Sequence, residues 1–103
     1  MATLIKPIKF TWDKGNEDKN LSKHGVSNKE SEETFFDEKH KIFKDKLHSG
    51  SEERFRIVGK TKMDRLLFIV FTIRNKKVRV ISARDINRKE VYLYEEKINS
   101  AKI

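Results

Sequence analysis

The stretch Arg65 to Arg74, RLLFIVFTIR, constrains this chain more than any other. Its unbroken apolar run, Leu66 to Phe71, presents hydrophobic side chains to both faces, the mark of a central strand. At six residues the run is far short of the ~20 needed to cross a bilayer as a helix. A central strand needs neighbours, and the flanking sequence supplies them. Arg54 to Gly59 alternates before it, with a turn expected near Met63 and Asp64, and Lys77 to Arg84 alternates after it. Asn75 and Lys76 suit a two-residue hairpin turn, because Asn tolerates the left-handed conformation. That turn sets Arg74 opposite Lys77 and Thr72 opposite Arg79. Thr72, Arg74, Lys77 and Arg79 then share an exposed basic face, while Phe71, Ile73, Val78 and Val80 face the helices. Arg54 and Arg56 share one face of the preceding strand, whose register is not readable from sequence.

The remaining elements follow from period and punctuation. Lys6 to Trp12 alternates and predicts a first strand, with Trp12 in the core. Asp13 is the expected N-cap of a helix that ends at His24 before a C-cap Gly25, with Glu17, Leu21 and His24 on one face. Ser27 and Glu30 form a capping-box pair that opens a second helix through about Phe36. Residues 37–53 read as a loop with at most one edge strand around Ile42 and Phe43. Asn87 and Glu90 repeat the capping box and start a helix carrying Val91, Tyr94 and Ile98 on one face. The expected order is β-α-α-β-β-β-α, an α+β class with a mostly antiparallel sheet and helices packed on it. A length of 103 residues, with no repeat and no Pro/Gly/Ser linker, suits one domain over residues 1–103.

Charge is distributed unevenly. The chain carries 24 Lys and Arg against 16 Asp and Glu, a net +8. Residues 1–53 hold 10 Lys and 11 acidic residues, whereas residues 54–103 hold 7 Lys, 7 Arg and 5 acidic residues. Every arginine therefore lies in the second half. Arginine's planar fork matches phosphate oxygens bidentately, so the basic half points to a polyanion such as RNA. Cysteine is absent, which excludes disulfides, thiolate nucleophiles and Cys-ligated zinc and suits a reducing, cytoplasmic setting. Met1 to Ile8 lacks a signal-peptide run, and no membrane association is expected. No HExxH, P-loop or Gly-rich nucleotide fingerprint occurs, so no cofactor or metal is expected.

Four segments carry a resemblance: FTWDKGNEDKNLSKHGVS (Phe10 to Ser27), EERFRIVGKT (Glu52 to Thr61), RLLFIVFTIR, and VRVISARDINRKEVYLYEE (Val78 to Glu96). In this order and spacing the chain resembles the BrnT toxins of bacterial type II toxin–antitoxin systems, whose fold is similar to that of the RelE toxins. The resemblance implies a metal-independent endoribonuclease that inhibits translation and is neutralised by a cognate antitoxin. It also implies that promoter DNA is reached only through the antitoxin. The Asn75-Lys76 turn, where glycines are common, and the lysine-rich loop 37–51 depart from the family pattern.

Metal-free RNA cleavage needs a base for the 2′-hydroxyl, cations for the phosphorane and an acid for the leaving 5′-oxygen. His24, Glu53, Glu90, Tyr92 and Tyr94 are the titratable candidates. His24 has the suitable intrinsic pKa, although a histidine before a C-cap glycine also serves the helix terminus. His40 and His48 lie in the polar loop without a partner by spacing. Lys23, Arg54, Arg79, Arg84 and Arg88 are candidates for the phosphate. Arg84 and Arg88 flank the helix start at Asn87, where free N–H groups would add to an anion site, unless one pairs with Asp85 or Glu90. The expected catalytic set is His24, Arg84, Arg88, Glu90, Arg54 and Glu53. Lys23, Arg56, Arg74, Lys77, Arg79 and Tyr92 are expected to bind RNA. Ser82 has no base at nucleophile spacing. Two other classes use the same charge: a non-catalytic nucleic-acid-binding module with a basic sheet face, and a structural protein docking an acidic partner.

Overall fold

The computed structural model describes Leu4, residues 6–47 and residues 49–95. In it the apolar run becomes β3 (Leu66–Arg74), the longest strand with β4 (Lys77–Asp85). With β1 (Lys41–Lys44) and β2 (Phe55–Lys60) these form a four-stranded antiparallel meander in chain order. Asn75 and Lys76 both adopt positive φ, 51° and 65°, as a type I′ turn requires. Arg74 duly opposes Lys77, and Thr72 opposes Arg79. Asp64 turns the chain between β2 and β3 at φ 64°.

Two helices cover one face of this sheet. α1 spans Lys19–His24 and α2 spans Asn28–Phe35. Phe35, Val26, Ile57, Leu67, Ile69, Phe71, Val78, Val80 and Ala83 form the core between the layers, with Phe10, Trp12 and Ile42 packed against it. Phe35 meets Phe71 edge to face with ring centres 5.0 Å apart. Gly59 lets α2 approach this closely, because a Cβ there would stand 2.9 Å from the Thr34 carbonyl oxygen. The Ser27–Glu30 capping box opens α2 as expected, and Gly25, at φ 66°, ends α1. Arg65 braces the assembly. Its guanidinium donates to Asp85, Glu30 and the Gly25 carbonyl, tying the end of β4 to both helices.

Three expectations change. The segment Lys6 to Trp12 is not a full strand: only Phe10 bridges Val78, in parallel, through bonds from Val78 N to Lys9 O and from Thr11 N to Val78 O. Beyond that bridge side chains take over the outer edge of β4. Asn16 donates to the Val80 carbonyl (3.2 Å), Lys19 to the Ile81 carbonyl (3.3 Å), and Asn20 accepts from the Ala83 amide (3.0 Å). Second, the first helix begins at Lys19 instead of after Asp13. Asp13 makes a turn, accepting from Gly15 and Glu17, and Asp18 is left-handed. Asn and Asp favour such local bonding over helix. Glu17, Leu21 and His24 consequently face solvent, and Asn20 is the residue that α1 buries. Third, the last helix starts as a 3-10 turn (Arg88–Glu90) leading into a short α3 (Val91–Tyr94). Ile98 and His48 lie outside the described residues. The element order is α-α-β-β-β-β-α, within the α+β class.

Candidate functional site

A β-bulge decides which side chains meet. Val70 opposes Ser82, but Phe71 opposes Val80, so Ile81 is the extra residue on β4. With strict alternation Arg84 would share the face of Val78 and Val80, beneath the helices. The extra residue moves Ser82 and Arg84 to the opposite face and leaves Ala83 in the core. Across that second face the register stacks Val58, Phe68 and Arg84 in one row and Phe43, Arg56, Val70 and Ser82 in the next. Arg54, Thr72, Arg79, Arg74 and Lys77 continue it towards the hairpin. The strand whose register was unreadable thus brings Arg54 and Arg56 onto the same face as the hairpin arginines.

At the hairpin end the basic face is partly neutralised. Arg74 pairs with Glu52, and Arg79 with Asp13 at 2.6 Å. The guanidiniums hold both carboxylates below their ordinary pKa. Thr72, expected to be exposed, is only 1% accessible and donates its hydroxyl to the Glu53 carbonyl at 2.6 Å. Lys77 is exposed, and Arg54 makes no ion pair among the described residues.

The other end is a compact arginine–carboxylate cluster. Arg84 lies over the Phe68 ring, its guanidinium carbon 4.3 Å from the centroid. Two parallel 2.8 Å bonds join it to Glu90, and a third reaches the Asp85 carbonyl. Glu90 also accepts from the Asn87 amide, while the Asn87 side chain accepts from the Glu90 amide. The capping box is therefore realised, and it takes up the Asn87 and Glu90 amides at the helix start. Arg84 holds the Glu90 carboxyl below the usual range against the effect of burial, aided by Asn87 and by Arg56 nearby. Arg56 has its Nε buried without a hydrogen-bond partner. One ionised carboxylate here faces two arginines.

The other candidates lie apart. His24 is exposed at the end of α1, beside Asp85 on the helix-covered side, opposite to Arg84. Lys23 is exposed on α1. Glu53 pairs with Lys44 at 2.8 Å, away from Arg54. Arg88 and Tyr92 are exposed on the turn and helix that follow Asn87. Tyr94 donates its hydroxyl to Asp37 at 2.7 Å, which with burial raises its pKa. Asp37 and Tyr94 line a cleft of about 1210 Å³ together with His40, whose Nδ1 donates to the Asp37 carbonyl. No spacing in the sequence joins residues 37, 40 and 94. Trp12 donates to Glu32 at 2.7 Å and packs on the core.

The family model of BrnT, the ribonuclease toxin of type II toxin–antitoxin systems, matches residues 12–90. The chain belongs to the BrnT family. No curated protein matches it. Membership brings an RNA target and an antitoxin partner, and the matched span contains β1 to β4 and closes on Glu90. Among the described residues no helix is long and apolar enough to cross a membrane. No group of three or more His, Asp or Glu side chains among them could hold a metal ion.

Proposed function

We propose that this BrnT toxin cleaves RNA without a metal ion and thereby inhibits translation, using the arginine face of the sheet. The observation that carries this reading is the Arg84–Glu90 pair beside Arg56 on that face. In the proposed reaction the 2′-oxygen bonds to the adjacent phosphorus as the bond to the 5′-oxygen breaks. The products are a 2′,3′-cyclic phosphate and a 5′-hydroxyl. Arg84 and Arg56 offset the charge that builds on the phosphorane oxygens. Glu90, already ionised, takes the 2′-hydroxyl proton once the phosphate has replaced it on Arg84. Tyr92, exposed two residues on, is the candidate donor to the 5′-oxygen, and Arg88, Arg54, Lys77, Arg74 and Arg79 guide the strand. His24, Lys23 and Glu53 take no part.

The test is to incubate the purified chain with RNA in excess EDTA and analyse the ends. Cleavage leaving 2′,3′-cyclic phosphate is expected. Activity restored only by added Mg²⁺ would refute the metal-free route. Tight, salt-sensitive binding without cleavage would instead make the chain a nucleic-acid-binding module.

A further inference from the structure

The two edges of the sheet are finished differently. On β4 the outward backbone groups of Val78, Val80, Ile81 and Ala83 are taken by Lys9, Thr11, Asn16, Lys19 and Asn20. On β1 no described residue does the same. The Asp45 amide donates to the Arg54 carbonyl, which fixes the hydrogen-bonded phase of the β1–β2 ladder. Phe43 with Arg56, and Lys41 with Val58, therefore bond inwards. Ile42 and Lys44 direct their N–H and C=O groups away from the sheet, and no described residue meets them.

We propose that β1 is the docking edge for an extended, acidic segment of the antitoxin, which adds as a further strand beside Lys41–Lys44. The inference rests on the family's antitoxin partner. An open edge is a template for strand addition, in which main-chain bonds give affinity and flanking side chains give selectivity. Here lysine dominates the flank: Lys39, Lys41, Lys44 and Lys46 fall within residues 39–46, whose one acidic residue, Asp45, is buried, and of these lysines Lys44 is paired with Glu53. Lysines in that density repel a second copy of the same edge and favour an acidic strand. Docking here leaves the arginine face to be blocked by the remainder of the partner.

The test uses the toxin alone and its complex with the antitoxin co-expressed from the adjacent gene. Hydrogen exchange is followed at single amides. In the complex the Ile42 and Lys44 amides should become protected, having been the fast-exchanging positions of β1. Lys44→Pro removes an outward donor without breaking a ladder bond, which an edge strand tolerates. It should weaken the complex by about tenfold beyond Lys44→Ala, which removes the charge and its pairing with Glu53 but keeps the outward N–H. Unchanged exchange at Ile42 and Lys44, with the two variants binding alike, overturns the docking edge but leaves the toxin–antitoxin reading intact. A wild-type chain that fails to bind the antitoxin overturns that reading, and the docking edge with it.

Discussion

The Arg84 guanidinium stands 4.3 Å over the Phe68 ring, directly across the β3–β4 ladder, and it does so because Ile81 is bulged out of register. The ring face favours the cation and leaves its planar fork directed at Glu90. The bulge thus joins an arginine from the far end of the strand to those near the hairpin.

Deleting Ile81 tests that account. The deletion restores strict alternation, so Arg84 must enter the helix-covered layer or β4 must lose its pairing. RNA cleavage should vanish and thermal stability should fall. Ile81→Ala keeps the count and should retain cleavage. A deletion variant that cleaves as well as wild type would show that the register is immaterial.

Asn20→Ala removes the acceptor for the Ala83 amide at the buried edge of β4. An unsatisfied buried donor costs about 1–3 kcal/mol. Urea unfolding should show a loss of that size, with cleavage per folded molecule unchanged. A loss much smaller than this would mean that water serves the edge equally well.

Much of this architecture was legible, and for local reasons. The Asn75-Lys76 turn, both capping boxes and the apolar β3 are written in neighbouring residues. The bulge was not, because its one trace is a three-residue step from Val80 to Ala83 in a strand that otherwise alternates. That step put Arg84 on an unexpected face. Nothing in the sequence marked Asn16 and Asn20, since their partners on β4 lie more than 60 residues away. The Arg84–Glu90 pair was readable as one alternative, because the capping box fixes Glu90 close to the strand end. His24 looked apt by its chemistry, but its place on α1 puts it on the other side of the sheet.

Gly59→Ala places a methyl group against the Thr34 carbonyl oxygen, at 2.9 Å from backbone, and against the His40 Cβ. Overpacking of this kind costs about 1–3 kcal/mol. The midpoint of thermal unfolding should drop by roughly 4–8 °C for each kcal/mol in a domain of this size. No drop would mean that α2 moves freely on β2.

Acid should unfold the protein progressively. Ser27 and Arg65 hold Glu30 below its ordinary 4.5, Arg65 holds Asp85 below 3.8, and Arg84 holds Glu90 below 4.5. Burial works against the Asp37 carboxylate, yet the Lys60 amide, the Tyr94 hydroxyl and the Lys39 amide together outweigh it and lower its pKa. These groups bind fewer protons folded than unfolded, so their stabilisation is fully present above the unfolded values of 3.8 to 4.5. It is lost as the pH falls through the lower folded values. Urea midpoints should hold steady near neutrality and fall below about pH 4.5, with Glu90→Gln flattening the decline. Stability rising on acidification would contradict these assignments.

The single-turnover rate of RNA cleavage in EDTA, compared for wild type, Arg84→Ala, Arg84→Lys and His24→Ala, tests the central claim most directly. Loss of one transition-state contact predicts a fall of about 10²–10³ for Arg84→Ala, with circular dichroism unchanged. Arg84→Lys should recover part of that, since lysine keeps the charge without the fork. His24→Ala should cleave like wild type. A fully active Arg84→Ala beside an inactive, folded His24→Ala would move the reactive centre off the arginine face and onto the end of α1.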